Sequence, residues 1–337
     1  MENSETNTTS KRKDDHINLA KKSAIQACSM DNRFNYEPMI AAHPKDANIS
    51  SVVFGKKVDA PFWVSSMTGG SERAFELNRT LAKMVGHYKI GMGLGSCRCL
   101  MKSNERFEDF NLRPILGDEV PFFGNIGIAQ LEEINSNKQV SGFFLGQLRD
   151  LGVDGLIIHV NPLQEWLQPE GDRYYDAPID TIKKFIDLNS SLKIIVKEVG
   201  QGFGPASMKE LLKLPISGVE FGAFGGTNFS RLEILRSKRE SHQQELALVG
   251  HNIDEMISYY NQSAAQGMDV IISGGITNFL DGHYYQQILR ANSVIGMAGT
   301  FLKYAVNGEE ALHYFMEQQI EGVKFASTFL TLKERES

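Results

Sequence analysis

The sequence has few cysteines, few prolines, no excess of basic residues and no long apolar run. Its three cysteines cannot form the disulfide framework of a small secreted domain, and Cys97 and Cys99 lack the companion ligands of a zinc site. The chain has 35 lysines and arginines against 41 aspartates and glutamates, a formal charge of −6, which argues against a nucleic-acid-binding face. We therefore expect inert, reduced thiols and no nucleic-acid partner.

Membrane segments and targeting signals are also missing. Residues 1–18 are polar and charged, unlike a secretory signal, and no apolar run approaches the roughly 20 residues that a membrane helix needs. We therefore expect a cytoplasmic protein without a membrane partner. Hydrophobic residues make up 42% of the chain, which is enough for a full core.

Short apolar segments alternate with amphipathic ones from residue 60 onward, and almost every apolar segment ends in glycine or small polar residues. Strict alternation of this kind predicts parallel strands joined by helices. Eight units favour an α/β fold of the closed (β/α)8 TIM barrel type, and no Gly-x-Gly-x-x-Gly motif supports a Rossmann fold. The predicted strands are 62–64, 90–92, 122–123, 156–158, 194–196, 219–221, 270–272 and 293–295. The predicted helices are 71–87, 129–150, 179–189, 205–214, 253–267, 279–291 and 309–330.

The remaining segments are a polar start and two long connections. Residues 1–10 are expected to be a disordered tail, and residues 11–337 one barrel domain with a polar N-terminal extension. Arg12 and Lys13 belong to a charged run that is either a solvated helix start or a phosphate-binding element. The connections 97–121 and 227–252 are long enough to be lids or oligomer contacts.

The unusual residues follow the strands and do not precede them, which is typical of the catalytic face of a barrel. After the fourth strand come His159, Asn161, Gln164 and Glu165. Glu165 is the candidate magnesium ligand, because magnesium is usually held by a lone carboxylate with phosphate oxygens and water. A salt bridge or a carboxylate at a helix start is the alternative. His159 is either a neutral hydrogen-bond donor to substrate or a satisfied core residue.

Glycine-rich turns follow the seventh and eighth strands, in the segments Ser273–Gly275 and Gly296–Gly299. Backbone amides at these two strand ends usually form the phosphate pocket of a barrel, although two tight turns would explain the pattern too. Lys197 directly follows the fifth strand. A lysine in a barrel mouth loses hydration, and an anion or a cofactor heteroatom, such as the N1–C2=O edge of a flavin, would compensate for that loss. The alternative is a lysine whose ammonium group reaches the protein surface.

Small polar residues end the first three strands and could contact a planar ring. They are Ser66, Met67, Thr68 and the two glycines that follow, then Ser96, then Asn125. Cys97 and Cys99 could be nucleophiles in a glycine-rich loop, but no partnered base is evident.

These motifs together resemble the type 2 isopentenyl-diphosphate isomerases, FMN-dependent barrel enzymes. The resemblance runs from Arg12 to about residue 330, and the segment from His159 to Glu165 is specific to that family. Its other motifs are Arg12–His16, Met67–Gly70, Gly95–Ser96, Asn125–Gly127, Pro169–Gly171, Lys197–Gly200, Gly225–Asn228, Ser273–Gly275 and Gly296–Ala298.

The resemblance implies a site with three parts. The substrate diphosphate would be gripped by Arg12, Lys13 and Arg98, with Ser96, His159, Asn161 and Gln164 around the substrate. Glu165 would bind Mg2+. FMN would contact Ser66, Met67, Thr68, Ser96, Asn125, Lys197, Thr227, Gly274, Gly275, Ala298 and Gly299.

The resemblance also implies chemistry and assembly. The reaction would move a proton to convert isopentenyl into dimethylallyl diphosphate, with reduced FMN as acid and base and NADPH needed only to reduce the flavin. Homo-oligomers, tetramers or octamers, would be expected. The chain departs from the family pattern at Gly222, often serine, at Thr277, commonly arginine or leucine, at Cys97 and near 249–252. Each departure puts a single contact in doubt.

Two other functions compete with the isomerase. An FMN-dependent 2-hydroxy-acid oxidoreductase would share the flavin pocket, but it needs a base and an arginine for the substrate carboxylate. A non-catalytic flavin- or phosphate-binding protein would leave His159, Gln164 and Glu165 without a use.

Overall fold

Eight parallel strands close into a barrel at the centre of the protein. The computed structural model describes residues 2–45, 47–66, 69–237, 242–263 and 267–334, with side chains from residue 10 onward. In chain order the barrel strands are β4 (Phe62–Val64), β5 (Gly91–Gly93), β6 (Phe122–Gly127), β7 (Gly155–His159), β8 (Lys193–Lys197), β9 (Gly218–Glu220), β10 (Asp269–Ser273) and β11 (Ser293–Met297).

Each barrel strand pairs with the next one along the chain, and β11 returns to pair with β4. This order closes the sheet without an edge strand, as expected when every strand is followed by a crossover that leads to its neighbour. Each predicted apolar segment coincides with one of these strands. The predicted (β/α)8 barrel is confirmed.

Helices surround the barrel. They are α1 (Glu2–Leu19), α2 (Glu72–Tyr88), α3 (Arg113–Leu116), α4 (Ile128–Ser136), α5 (Lys138–Asp150), α6 (Pro162–Leu167), α7 (Pro178–Leu188), α8 (Pro205–Leu211), α9 (Phe229–Ser237), α10 (Ile253–Asn261), α11 (Phe279–Ile288), α12 (Gly299–Val306) and α13 (Glu309–Phe329). The prediction of one helix over 129–150 was wrong. Asn137 has extended backbone geometry and its side chain caps α5, which starts a new helix there.

A hairpin closes the amino-terminal end of the barrel. It consists of β2 (Ser51–Val53) and β3 (Lys56–Val58), and its turn residue Phe54 packs against Trp63 and Phe123 with ring centroids 5.4 and 5.2 Å apart. These rings belong to an apolar cluster inside the barrel. Because this end is filled, a ligand can enter the barrel mouth only from the carboxyl ends of the strands.

The segments outside the barrel differ in how they pack. Helix α1 is exposed from residue 10 onward, with Arg12 and Lys13 on it. Residues 2–10, expected to form a disordered tail, lie in this helix, although serine, threonine and asparagine are weak helix formers. The extent of a single domain over 11–337 stays a prediction. Strand β1 (Phe34–Tyr36) pairs antiparallel with β12 (Leu330–Leu332) and so joins the two ends of the chain.

The two long connections contain short helices and core residues. The connection 97–121 holds α3 and buries Leu100, Phe110 and Leu112 completely, so much of it is part of the core. The connection 227–252 holds α9, while its residues 238–241 lie outside the described part. In the part of the chain that the structure describes, no helix is long and apolar enough to cross a membrane.

Candidate active site at the carboxyl ends of the strands

A cavity of about 410 Å³ opens at the carboxyl ends of β4, β8, β9, β10 and β11, and we call it the strand-end cavity. It brings together most of the predicted cofactor contacts, together with Gly222 and Thr277, two of the departures. Met67 and Thr68 lie outside the described residues. The predicted contacts that line the cavity are Ser66, Lys197, Thr227, Gly274, Gly275, Ala298 and Gly299.

Backbone segments approach each other closely along one wall of this cavity. Gly274 has φ +122°, and a Cβ atom there would lie 2.4 Å from the carbonyl oxygen of Ala223. A Cβ on Gly226 would lie 2.7 Å from the backbone nitrogen of Gly275. Helix α12 begins beside this wall at Gly299 without a side-chain cap, so its first N–H groups remain available to an anion. The wall therefore fits a phosphate group.

Lys197 ends β8 and lines the cavity with only 7% of its surface exposed. Its Nζ donates to the carbonyl oxygen of Glu198 at 3.0 Å. The Glu198 carboxylate accepts the backbone N–H groups of Gly200, Gln201 and Gly202, which fixes the loop after the strand. An ammonium carries three donors, so Lys197 can still donate to a ligand.

Three buried polar atoms around the cavity find no hydrogen-bond partner among the described residues: Ser65 Oγ, Ser66 Oγ and Glu220 Oε2. Buried polar atoms are rarely left unpaired, so this arrangement fits a ligand with a polar edge. Glu220 was not predicted as a site residue because it lies in an apolar run, between Val219 and Phe221. A carboxylate within a buried strand was the available signal.

A second group of polar side chains follows β7. We call His159, Asn161, Gln164, Glu165 and Asp172 the amide–carboxylate cluster. Asn161 Nδ2 donates to Gln164 Oε1 at 3.1 Å and to Glu165 Oε1 at 3.0 Å. The backbone N–H of Asp172 donates to Glu165 Oε2 at 2.7 Å. Hydrogen bonds therefore link Asn161, Gln164, Glu165 and Asp172 to one another.

His159 is neutral in this environment. Desolvation of the half-buried ring, and secondly the positive charge of Lys197, lower the pKa of His159 to about 3. The Asn125 amide donates to the Leu94 carbonyl at 3.0 Å, so its oxygen faces His159 Nδ1 at 2.8 Å. This network assigns the proton to Nδ1 and makes Nε2 an acceptor, whereas the sequence analysis expected a donor to substrate.

Arg98 and Gln164 are held by carboxylates that the sequence analysis did not single out. Arg98 forms an ion pair with Asp172, which also accepts from Gln130 Nε2 at 2.8 Å. Gln164 Nε2 donates to the buried Glu233 at 3.3 Å, and Arg236 pairs with the same carboxylate. Asp172 directly follows a quoted motif and Glu233 lies in the connection 227–252. Their partners come from distant segments.

The structure does not bring every predicted site residue to the cavity. Ser96 is exposed, and Asn125 is buried with both polar side-chain atoms engaged. Arg12 and Lys13 lie on the exposed helix α1 and are not among the lining residues. Their role at the diphosphate stays a prediction.

A magnesium ion would find hard oxygen donors near Glu165. Its carboxylate is partly exposed, and Asn161 Oδ1 is buried with no partner in the described ranges. Those ranges contain no group of three histidine, cysteine or acidic residues able to hold a metal by themselves. The donor set thus fits a magnesium ion that takes its remaining ligands from phosphate and water.

Cys97 is unsuited to nucleophilic chemistry. Its side chain is fully buried, and burial raises the pKa of its thiol to about 12. The thiolate is therefore scarce at neutral pH, which agrees with the expectation of inert thiols.

Solved structures of flavoenzymes share the fold. A flavocytochrome b2 mutant with benzoylformate superposes with a TM-score of 0.60 at 16% identity, covering 87% of this chain and 70% of that one. A mandelate oxidase mutant with the monooxide FMN adduct gives a TM-score of 0.57 at 12% identity, covering 90% and 88%. At these identities the likeness concerns the fold.

Curated relatives identify the family, although no family model matches the chain. The isopentenyl-diphosphate delta-isomerase of Nostoc sp. is 32% identical over 324 residues, covering 93% of this chain and 89% of the relative. The enzyme of the same name from Rickettsia typhi is 30% identical over 327 residues, covering 95% and 93%. With the closed barrel, these relatives confirm the resemblance, and the chain belongs to the family of type 2 isopentenyl-diphosphate delta-isomerases.

Proposed function

We propose that this protein interconverts isopentenyl and dimethylallyl diphosphate, with FMN in the strand-end cavity and Mg2+ on Glu165. One observation carries the proposal: the cavity and the amide–carboxylate cluster belong to one mouth. His159 of the cluster and Lys197 of the cavity are directly paired at the ends of β7 and β8, so the cluster and the cavity adjoin there. A reaction between a bound planar cofactor and a polar-headed substrate needs this adjacency.

The cavity suits FMN on its own chemistry. The FMN phosphate would be held by Gly274, Gly275 and the start of α12. The flavin ring and its polar edge would be held by Ser66, Lys197 and Thr227. The acid–base chemistry of the proton shift would come from the reduced flavin when it is bound. Lys197 would place its positive charge beside the ring and favour an anionic ligand.

The substrate would lie on the other side of the mouth. Glu165 would hold Mg2+ against the diphosphate, with Arg98 close by and Arg12 and Lys13 supplied by α1. Asn161, Gln164 and the acceptor nitrogen of His159 would orient the substrate. The binding energy of the charged head then positions the small apolar tail, which has few groups to hold by itself.

Further features of the proposal rest on the resemblance. NADPH would serve only to reduce the flavin, because the isomerisation has no net redox change. Assembly into tetramers or octamers and a cytoplasmic location stay predictions.

The test is to purify the protein, measure FMN absorbance, and assay isomerisation with Mg2+ under reducing conditions. We expect turnover without stoichiometric NADPH consumption. Oxidation of a 2-hydroxy acid without isomerisation would replace the proposal with the oxidoreductase. The site argues against that alternative, because His159 with a pKa of about 3 is a poor base.

A further inference from the structure

Glu220 is a fully buried carboxyl group that the proposed function leaves without a role. It ends β9 with none of its surface exposed, and it lines the strand-end cavity. Ser273 Oγ approaches Glu220 Oε1 at a long 3.3 Å, and the same hydroxyl accepts the Gly222 N–H at 2.9 Å. In the described part of the chain Oε2 forms no hydrogen bond of standard geometry, although the Ser65 hydroxyl faces the carboxyl group. Burial disfavours the ionised form of such a group, so a nearby positive charge is needed to keep it ionised.

Lys197 is the positive charge that faces this carboxyl group. The two residues are directly paired across β8 and β9, and both side chains line the cavity. Among the described residues Glu220 Oε2 forms no hydrogen bond to Lys197, whose Nζ donates instead to the Glu198 carbonyl oxygen. The two charges therefore interact through the cavity without sharing a proton.

We propose that Glu220 takes up a proton from solvent when an anionic ligand binds beside Lys197. In the free cavity the lysine charge favours the Glu220 carboxylate. An anionic ligand cancels that charge and repels the carboxylate, so the neutral carboxyl group becomes the stable form. This inference rests on the proposed function, in which the ligand is the reduced flavin. In this role Glu220 is a positioning residue that adjusts the charge beside the ligand.

The surroundings of Glu220 indicate that ligand binding is coupled to one proton, the one taken up by Glu220. Burial raises the pKa of Glu220, while Lys197 opposes the rise, so removing the influence of Lys197 moves the pKa further up. The other groups facing it are the hydroxyls of Ser65 and Ser273, which do not titrate near neutral pH. His159, beside Lys197 on β7, is neutral. Lys197 is thus the charged neighbour that ligand binding can change.

Linkage fixes the direction of the effect. If the ligand raises the proton affinity of Glu220, then protonation of Glu220 raises the affinity for the ligand by the same factor. The preference of the protein for reduced over oxidised FMN must therefore fall as pH rises through the titration of Glu220. One coupled proton changes that preference by up to about tenfold per pH unit.

The experiment measures the dissociation constants of oxidised FMN and of dithionite-reduced FMN, anaerobically, from about pH 6 to about pH 9. Wild type is compared with Glu220→Gln, which keeps the shape and cannot ionise. Protonation of the free flavin is the same in both measurements and cancels in the comparison. We expect the wild-type preference to fall relative to that of Glu220→Gln as pH rises. Parallel curves would overturn the proposal.

Asp109→Asn is the matched control. Asp109 is also buried, at 8% exposure, and its Oδ2 forms no hydrogen bond within the described ranges, although Arg106 lies 3.7 Å away, and it does not line the cavity. We expect this variant to follow the wild-type curve. If it instead follows Glu220→Gln, a general effect of buried carboxylates replaces the specific one and the proposal is wrong.

A second measurement keeps the proposal testable if Glu220→Gln does not fold. The infrared difference spectrum of FMN-loaded wild type, reduced minus oxidised, should gain the C=O band of a protonated carboxyl group, and Glu220→Asp should shift that band. Absence of the band contradicts the proposal. If the wild-type protein binds FMN and isomerises its substrate but lacks the band, only this inference is contradicted. If the wild-type protein does not bind FMN, the proposed function is contradicted.

Discussion

The two sides of the barrel mouth satisfy their polar groups in opposite ways. In the strand-end cavity, Ser65, Ser66 and Glu220 each keep a buried oxygen without a partner in the described part of the chain. In the amide–carboxylate cluster, Asn161 bonds to Gln164 and Glu165 and leaves only its own Oδ1 unpaired. The cavity has the arrangement of a preformed site, and the cluster has to exchange partners when a ligand arrives.

This difference corresponds to the ligands that we propose. A rigid cofactor gains most from fixed backbone donors, because little rearrangement opposes its binding. A charged head with a metal ion brings its own oxygens and charge, which can replace bonds such as the one between Asn161 and Glu165. We therefore expect ligand binding in the cavity to depend on the shape of its walls, and ligand binding at the cluster to depend on charge.

Gly274→Ala should have the largest effect, because it alters the shape of the cavity. The added Cβ would meet the Ala223 carbonyl oxygen, and φ +122° disfavours any other residue. The backbone strain at position 274 is about 1–3 kcal/mol. If the glycine wall moves to relieve this strain, FMN binding should be roughly ten- to hundredfold weaker. A fluorescence titration with FMN measures the loss.

Gly308→Ala is the control for that substitution. Gly308 has φ +106°, but a Cβ there would meet nothing within 4 Å, and the residue precedes α13 away from the cavity. It should lower stability and leave FMN affinity unchanged. Equal FMN affinities for both variants would show that the glycine wall does not shape the site.

His159 should affect a different quantity, the stability of the protein at acid pH. Its pKa is about 3 in the folded protein, below the ordinary value of 6.5, so the unfolded chain takes up the proton first. The stability that the neutral ring provides is present above pH 6.5 and is lost as pH falls towards 3, by at most about 1.4 kcal/mol per pH unit. Urea unfolding across this range should show a steeper acid loss for wild type than for His159→Gln. Identical slopes would contradict a buried neutral ring.

Asp172→Asn should have the smallest effect and should show the response of the cluster to charge. The change removes the ion pair that neutralises Arg98, so the guanidinium becomes freer to meet the substrate diphosphate. Exposed pairs contribute about 0.2–1 kcal/mol, so KM should fall by roughly two- to fivefold with kcat little changed. Steady-state kinetics measure both values.

Asp59→Asn, which breaks the exposed pair with Lys57 in the hairpin region, serves as its control and should leave KM unchanged. A raised KM in Asp172→Asn would mean that Asp172 positions Arg98 and does not compete with the substrate.

The barrel and its cavity could be predicted because their signals are local. Alternating apolar segments define the strands, and the turn chemistry of Gly274 and Gly275 marks the phosphate wall in the sequence itself. Asp172, Glu220 and Glu233 were missed because each gains its role from partners on distant elements. Their burial and hydrogen bonds arise only when the strands are assembled.

The most direct test of the two-sided account is to measure bound FMN and Mg2+-dependent isomerisation in the same preparation of Glu165→Gln. The glutamine keeps an acceptor for Asn161 and removes the charge that holds the metal. We predict full FMN content with isomerisation lost. Full isomerase activity would contradict the assignment of the metal to Glu165, and loss of FMN would contradict the separation of the two sides.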